Sequence, residues 1–112
     1  MLYPENLKYT KEHEWVLLSD DSETATIGIT HFAQKELGDI VFVETNSLNS
    51  LIKKDEVFGT IEAVKTVSDL FSPMSGEIIE QNNKLISDPV LLNQDPYNEG
   101  WIVKIKISDI SE

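Results

Sequence analysis

Cysteine is absent from this 112-residue chain. Its absence excludes disulfides, thiolate catalysis by the chain itself and cysteine-ligated metal, and it fits a reducing compartment. Arginine is absent as well, and nine lysines face twenty aspartates and glutamates, a formal net charge of −11. Phosphate backbones demand clustered basic side chains, so no nucleic-acid partner is expected. Anionic membrane surfaces are disfavoured for the same reason, whereas basic surfaces of partner proteins are favoured. Glycine occurs only at positions 28, 38, 59, 76 and 100. That spacing excludes a glycine-rich loop that could cradle phosphate. The two histidines, His13 and His31, fall in different elements without H-x-x-H spacing and cannot alone make a zinc site. His13 stands between Glu12 and Glu14 with no nucleophile beside it. No apolar run approaches a membrane span. The first ten residues, "MLYPENLKYT", lack a basic and then apolar leader, so neither a secretory signal nor a transit peptide is read there. The expected location is the cytoplasm, or the mitochondrial matrix for a processed eukaryotic form.

What remains is an ordinary globular composition, with 40% hydrophobic and 26% charged residues. The length suits a single domain, 1–112. A chain of this size buries roughly two-thirds of its unfolded surface, enough for one core.

Short strands dominate the pattern. "EHEWVLL" (12–18) reads as a strand with an aromatic anchor, and "SDDSE" (19–23) as a turn whose side chains satisfy local backbone groups. "TATIGI" (24–29) alternates, with Ala25, Ile27 and Ile29 on one face. "THFAQKEL" (30–37) predicts a short helix capped by Thr30, with Ala33 and Leu37 on one side and Gly38 at its end. "DIVFVE" (39–44) predicts a buried strand, "TNSLNS" (45–50) a loop, and "EVFGTIEAV" (56–64) a strand with a bulge or close backbone approach at Gly59. "SPMSG" (72–76) interrupts, and "EIIE" resumes a strand. Residues 81–100 read as loop, with turns at Asp88-Pro89 and Asp95-Pro96 and a helical turn near 83–86. "WIVKIKI" (101–107) ends with Val103, Ile105 and Ile107 inward and Lys104 and Lys106 outward. Trp15 and Trp101 read as core anchors. This spacing predicts a mostly β fold, a sandwich or flattened barrel with one or two short helices. The scattered carboxylates identify no catalytic pair, and the residues alone support only an acidic β domain.

One lysine stands apart. In "IEAVKTVSDLFSPMSG" (61–76), Lys65 sits at the apparent tip of a hairpin, between Val64 and Val67. A solvated turn lysine is the plain reading. The alternative is a modified lysine, whose long stem on a rigid tip would carry a group supplying chemistry the chain lacks.

Three stretches in order carry a resemblance over nearly the whole chain. They are "YTKEHEW" with "ATIGIT" and "AQKELGDIVFVE", then "FGTIEAVKTVSDLFSPMSGEIIEQN", then "DPYNEGWIVKIK". Together they resemble the H-protein family of the glycine cleavage system, which are lipoyl carriers. The central stretch resembles that family's E-[SA]-V-K-x-x-S-D…S-P-x-S-G-E pattern. The resemblance implies a flattened barrel-sandwich hybrid of the lipoyl and biotinyl carrier type, with lipoic acid held as an amide on Lys65. It implies that the chain is not itself an enzyme. It would shuttle the aminomethyl group of glycine from the pyridoxal-phosphate decarboxylase (P protein) to the tetrahydrofolate-dependent T protein. A flavin dihydrolipoyl dehydrogenase (L protein) and lipoylating enzymes are the further implied partners. Glu62 and Gly76 match positions of the address read by lipoylating enzymes. Glu14, Ile29, Thr30 and Asp69 match positions near a cleft where the arm rests. Without the resemblance, Glu14 and Asp69 would read as ordinary solvated carboxylates. The chain departs from the family at His31, where an acid is usual, and in ending at "ISDISE" where a helical tail is usual.

Three other readings stand beside it. A lipoyl donor that relays lipoate to other lipoyl domains would use the same residues. A biotin carrier is disfavoured because Val64 and Thr66 stand where E-A-M-K-M places methionines. A structural or regulatory module would leave Lys65 bare.

Overall fold

The computed structural model describes residues 7–21 and 23–108. The sequence readings at residues 1–6, at Ser22 and at the terminal 109–112 lie outside them. In chain order the elements are β1 (Lys8–Tyr9), β2 (Glu14–Leu18), β3 (Thr24–Ile29), α1 (His31–Leu37), β4 (Ile40–Thr45) and β5 (Leu51–Ile52). There follow β6 (Val57–Ala63), β7 (Val67–Phe71), β8 (Gly76–Gln81), α2 (Lys84–Ser87), α3 (Leu91–Gln94) and β9 (Val103–Ile107). An antiparallel six-stranded sheet has the order β1-β2-β3-β9-β8-β5, and a three-stranded sheet the order β4-β6-β7. The expected mostly β, flattened barrel-sandwich is thus two layers with short helices at their margins.

Alternation drives this packing. Ala25, Ile27 and Ile29 of β3 and Val103 and Ile105 of β9 turn inward. They meet Phe58, Ile61 and Leu70 of the three-stranded sheet in one apolar cluster. Each of these side chains larger than alanine contributes roughly 1.5–3 kcal/mol by leaving water. The β2–β3 hairpin is closed by Ser19 and Asp21. The Ser19 hydroxyl donates to Asp21 Oδ1 at 2.7 Å, and that oxygen accepts from Glu23 N at 3.0 Å. Trp15 lies flat over its cross-strand partner Gly28, where any Cβ would sit 2.5 Å from the indole. The indole N–H donates to Pro96 O at 2.9 Å, which ties the first hairpin to the C-terminal segment.

The helix at 30–37 forms as its sequence dictates. Thr30 Oγ1 accepts from Ala33 N at 3.1 Å, Ala33 and Leu37 pack on the core, and Gly38 ends the helix at φ +79°. Gly59 fulfils both expectations, with a register shift between Val57 and Gly59 and Glu44 O 2.4 Å from where a Cβ would stand.

Three readings change. "DIVFVE" is not wholly buried, because a register shift between Ile40 and Phe42 breaks the alternation and leaves Val41 and Phe42 about half exposed. Trp101 is not a core anchor. It is half-buried, with Lys104 Nζ 5.1 Å from the ring centroid, where the cation meets the π face. The 81–100 segment holds a second short helix, α3, besides the turn expected near 83–86. The two Asp-Pro pairs mark where α2 and α3 end, since proline cannot continue a helix.

Candidate functional site

Lys65 stands on the tight turn between β6 and β7. Ala63 N donates to Thr66 O at 2.8 Å, which closes the turn. Val64 and Val67 on either side are 76% and 62% exposed, so the tip projects from the sheet. The tip leans on the end of α1. Val64 N donates to Asp39 O at 3.0 Å, and Lys65 Cε lies 3.4 Å from the place a Cβ would take on Gly38.

That support is itself held by one side chain. Asn93 of α3 donates to Gly38 O at 2.7 Å and to Gln34 Oε1 at 3.1 Å, and accepts from Ile40 N at 3.0 Å. A single amide therefore fixes the three backbone and side-chain groups beneath the lysine. Among the described residues no hydrogen bond or ion pair engages Lys65 Nζ, so the amine is presented freely.

Beside the tip a groove of about 330 Å³ runs between α1 and the β6–β7 hairpin. Its apolar walls are Ile29, Phe32, Ala33, Leu37, Ile61 and Leu70. One end lies at Leu37, the residue before the Gly38 that supports the lysine stem. The groove also carries four carboxylates, those of Glu12, Glu14, Glu36 and Asp69, with His13 at the same end as Glu14. Another cleft of about 290 Å³ has Phe42, Leu85 and Ile102 in its walls, but none of its lining residues belongs to the hairpin that carries Lys65.

Glu14 differs from the other three acids in being buried, at 3% exposure. Its Oε2 accepts from Phe71 N at 2.8 Å, and the Thr10 hydroxyl reaches Oε1 at 3.5 Å. Thr10 organises this corner. Its Oγ1 accepts from Glu12 N and Glu14 N, both at 3.2 Å, and its carbonyl accepts from His13 N at 3.1 Å. The turn puts His13 at φ 65°, from where its ring meets Phe32 at 4.5 Å and its carbonyl accepts from Thr30 N at 3.0 Å.

Burial pushes the Glu14 carboxyl up to about 7, against the Phe71 N–H that favours the anion, and Glu12 adds to the rise. The acid thus changes charge near neutral pH inside the groove. Its effect on stability has a definite sign. Below the unfolded value near 4.5 the group is protonated in both states. Between that value and about 7 the unfolded chain gives up the proton while the folded chain keeps it, so stability falls as pH rises, and the loss is complete once the folded group ionises as a buried anion. Glu14→Gln keeps the shape without the charge. Urea unfolding is expected to show the variant gaining on the parent between pH 5 and pH 8, by up to about 3 kcal/mol. A difference that stays constant with pH would contradict the raised value.

The structure places the sequence-chosen residues in several settings. Glu14, Ile29 and Asp69 line the groove. Thr30 does not; it is buried behind the wall as the cap of α1. Glu62 is exposed on β6, between Phe42 and Val67 across the sheet. Gly76 is buried in the other sheet, where a Cβ would sit 2.4 Å from Lys106 O, so packing alone accounts for the glycine. His31 opens α1, with its N–H donating to the Tyr97 hydroxyl at 2.9 Å. Sequence reasoning missed Thr10, Phe32 and Asn93. For Thr10 a signal existed, since threonine followed by polar residues favours a hydroxyl-to-backbone turn. For Asn93 none did. Among the described residues no group of three or more acids and histidines is placed to hold a metal. None of their helices is long and apolar enough to cross a membrane.

The sequence profile described as glycine cleavage H-protein matches residues 7–112. The chain is 59% identical over 109 residues to the glycine cleavage system H protein of Chlorobium phaeobacteroides, covering 97% of this chain and 85% of that one. It is 53% identical over 111 residues to the protein of that name from Bacteroides thetaiotaomicron, covering 99% and 86%. Among solved structures, a glycine cleavage system H protein from Mycobacterium marinum superposes with a TM-score of 0.91 at 34% identity, covering 98% of this chain and 90% of that one.

Proposed function

The chain belongs to the glycine cleavage H-protein family, and on that premise we propose that it is the lipoyl carrier of a glycine cleavage system, with lipoic acid bound as an amide to Lys65. It passes the aminomethyl group of glycine from the P protein to the T protein, is reset by the dihydrolipoyl dehydrogenase, and is loaded by lipoylating enzymes. The whole chain acts as one carrier domain without catalysis of its own. When bound, the lipoyl group supplies the sulfur chemistry that a chain without cysteine lacks.

The observation that carries this reading is the unengaged amine of Lys65 on a braced tip beside an apolar groove that carries carboxylates. The residues fit such a group. Among the described residues the amine has no partner to give up on acylation, and the stem has a defined seat on Gly38. Ile29, Phe32, Leu37 and Leu70 give an aliphatic arm a surface that excludes water. Glu14, its carboxyl pushed up to about 7 by burial, can accept a hydrogen bond from an amine or keep a proton at its carboxyl. Glu62, exposed on the strand that leads to the tip, is available to a modifying enzyme.

The test is the intact mass of the protein from cells with active lipoylation enzymes, with peptide mapping across Lys65. A lipoyl amide at Lys65 is the expected result. An unmodified lysine in those cells would overturn the reading.

A further inference from the structure

The scarce basic charge of this chain is not spread evenly. A cleft of about 440 Å³ beside β1 is lined by Lys8, Lys11 and Lys54, three of the nine lysines. Asp55 is the sole carboxylate among its lining residues. The rest of the chain carries the acidic excess, so this rim inverts the sign of the surface locally. The floor is apolar, with Val16 and Met74 buried and Leu18 half-buried.

A lysine on an edge strand commonly guards against unwanted pairing, and β1 is such an edge. That accounts for Lys8 alone. Lys11 lies beyond the strand, and Lys54 comes from the turn between β5 and β6. The turn is firmly set. Lys54 N donates to Ser75 Oγ at 3.0 Å, Asp55 N donates to Ser72 O at 2.7 Å, and Asp55 holds φ 69°. All three lysine side chains are exposed, and among the described residues none of them forms an ion pair.

We propose that this cleft docks an extended acidic segment of a partner protein, with one apolar side chain seated on Val16 and Met74. Charge complementarity selects that occupant. On a chain of net charge −11 an acidic segment is repelled from most of the surface, so the lysine rim fixes where it lands. Cations on flexible exposed stems around an apolar floor suit a protein interface, whereas a small-molecule site needs buried, fixed polar groups. The cleft lies at the base of the β6–β7 hairpin, since Asp55 precedes β6 and Met74 follows β7. Lys65 is at the opposite end, and the seven residues of β6 span about 23 Å. A partner held here leaves the lysine tip free.

The test titrates the isotope-labelled chain with an acetylated, amidated peptide EDELDE, following amide shifts at Lys8–Lys11, Lys54, Asp55 and Met74. Saturable shifts there are expected. Replacing the peptide's leucine by serine should weaken binding severalfold. The variant with Lys8→Gln, Lys11→Gln and Lys54→Gln should bind about tenfold more weakly, since three exposed pairs are lost together. Its circular dichroism should match the parent, because all three side chains are in solvent. No shift at these residues with millimolar peptide would overturn the proposal. So would equal binding of the serine peptide, unchanged affinity of the lysine variant, or inorganic phosphate saturating the same shifts at the same concentration. None of these outcomes depends on the state of Lys65.

Discussion

Lys65→Arg is expected to lower carrier activity to the level measured with no carrier added, while thermal unfolding stays unchanged. Arginine preserves the positive charge and nearly the reach of lysine. Its guanidinium stays protonated throughout the physiological range and does not act as the acyl-accepting amine. The fold has no stake in the substitution. The side chain is exposed, Nζ is unengaged among the described residues, and the turn is closed by backbone bonds from Ala63 and Val64. Surface changes of this kind stay within about 0.5 kcal/mol. The measurement is glycine-dependent CO2 release with the partner proteins and lipoylating enzyme present, paired with a melting curve. An arginine variant that keeps its activity would sink the carrier reading. One that loses activity and stability together would show that Lys65 is structural.

Gly76→Ala is expected to cost stability on the order of 3 kcal/mol, with a melting point lower by roughly 10 °C. The added Cβ would meet Lys106 O at 2.4 Å and Ile105 Cδ1 at 3.2 Å. The first is backbone of β9, which is paired on both sides, with β3 and with β8, so it has nowhere to yield. The outcome bears on how Gly76 is interpreted in lipoylation. A poorly lipoylated Gly76→Ala chain could have lost its address or its fold. Glu62→Gln supplies the contrast, because Glu62 is exposed and its change should leave the melting point where it is. If Gly76→Ala melts like the parent, the packing account fails and a recognition role for the glycine gains ground.

The hairpins were legible because their code is local. In "TATIGI" and "WIVKIKI" the period of two states which side chains go inward, and a cap and a glycine bracket α1. Phe42 misleads because one extra residue in β4 moves the later side chains to the opposite face, and nothing in "DIVFVE" marks the bulge. Trp101 misleads because hydrophobicity alone cannot tell a buried indole from one that shares its face with Lys104. The lysine tip was readable from one stretch, but the groove beside it was not. Its walls come from β2, β3, α1, β6 and β7, and the acid it buries looks no different in sequence from Glu12 two positions away. Asn93 is the clearest case. Its three bonds reach Gln34, Gly38 and Ile40, and no local pattern announces a contact across so much chain.

The bond from Trp15 to Pro96 joins residues 81 apart, and β3 finds its second neighbour only in β9. On the ribosome this has a temporal meaning. At roughly 5–20 residues per second, the N-terminal hairpin waits several seconds or more for the strand that completes its sheet. The β6–β7 hairpin needs only its own contiguous residues, so the lysine tip can form early, while the sheet packed behind it must await β9. Non-local pairing of this kind places the chain among slow-folding β topologies, on a scale of milliseconds to seconds once synthesis ends. The tip's brace comes late as well, since Asn93, which holds Gly38 beneath the lysine, belongs to α3.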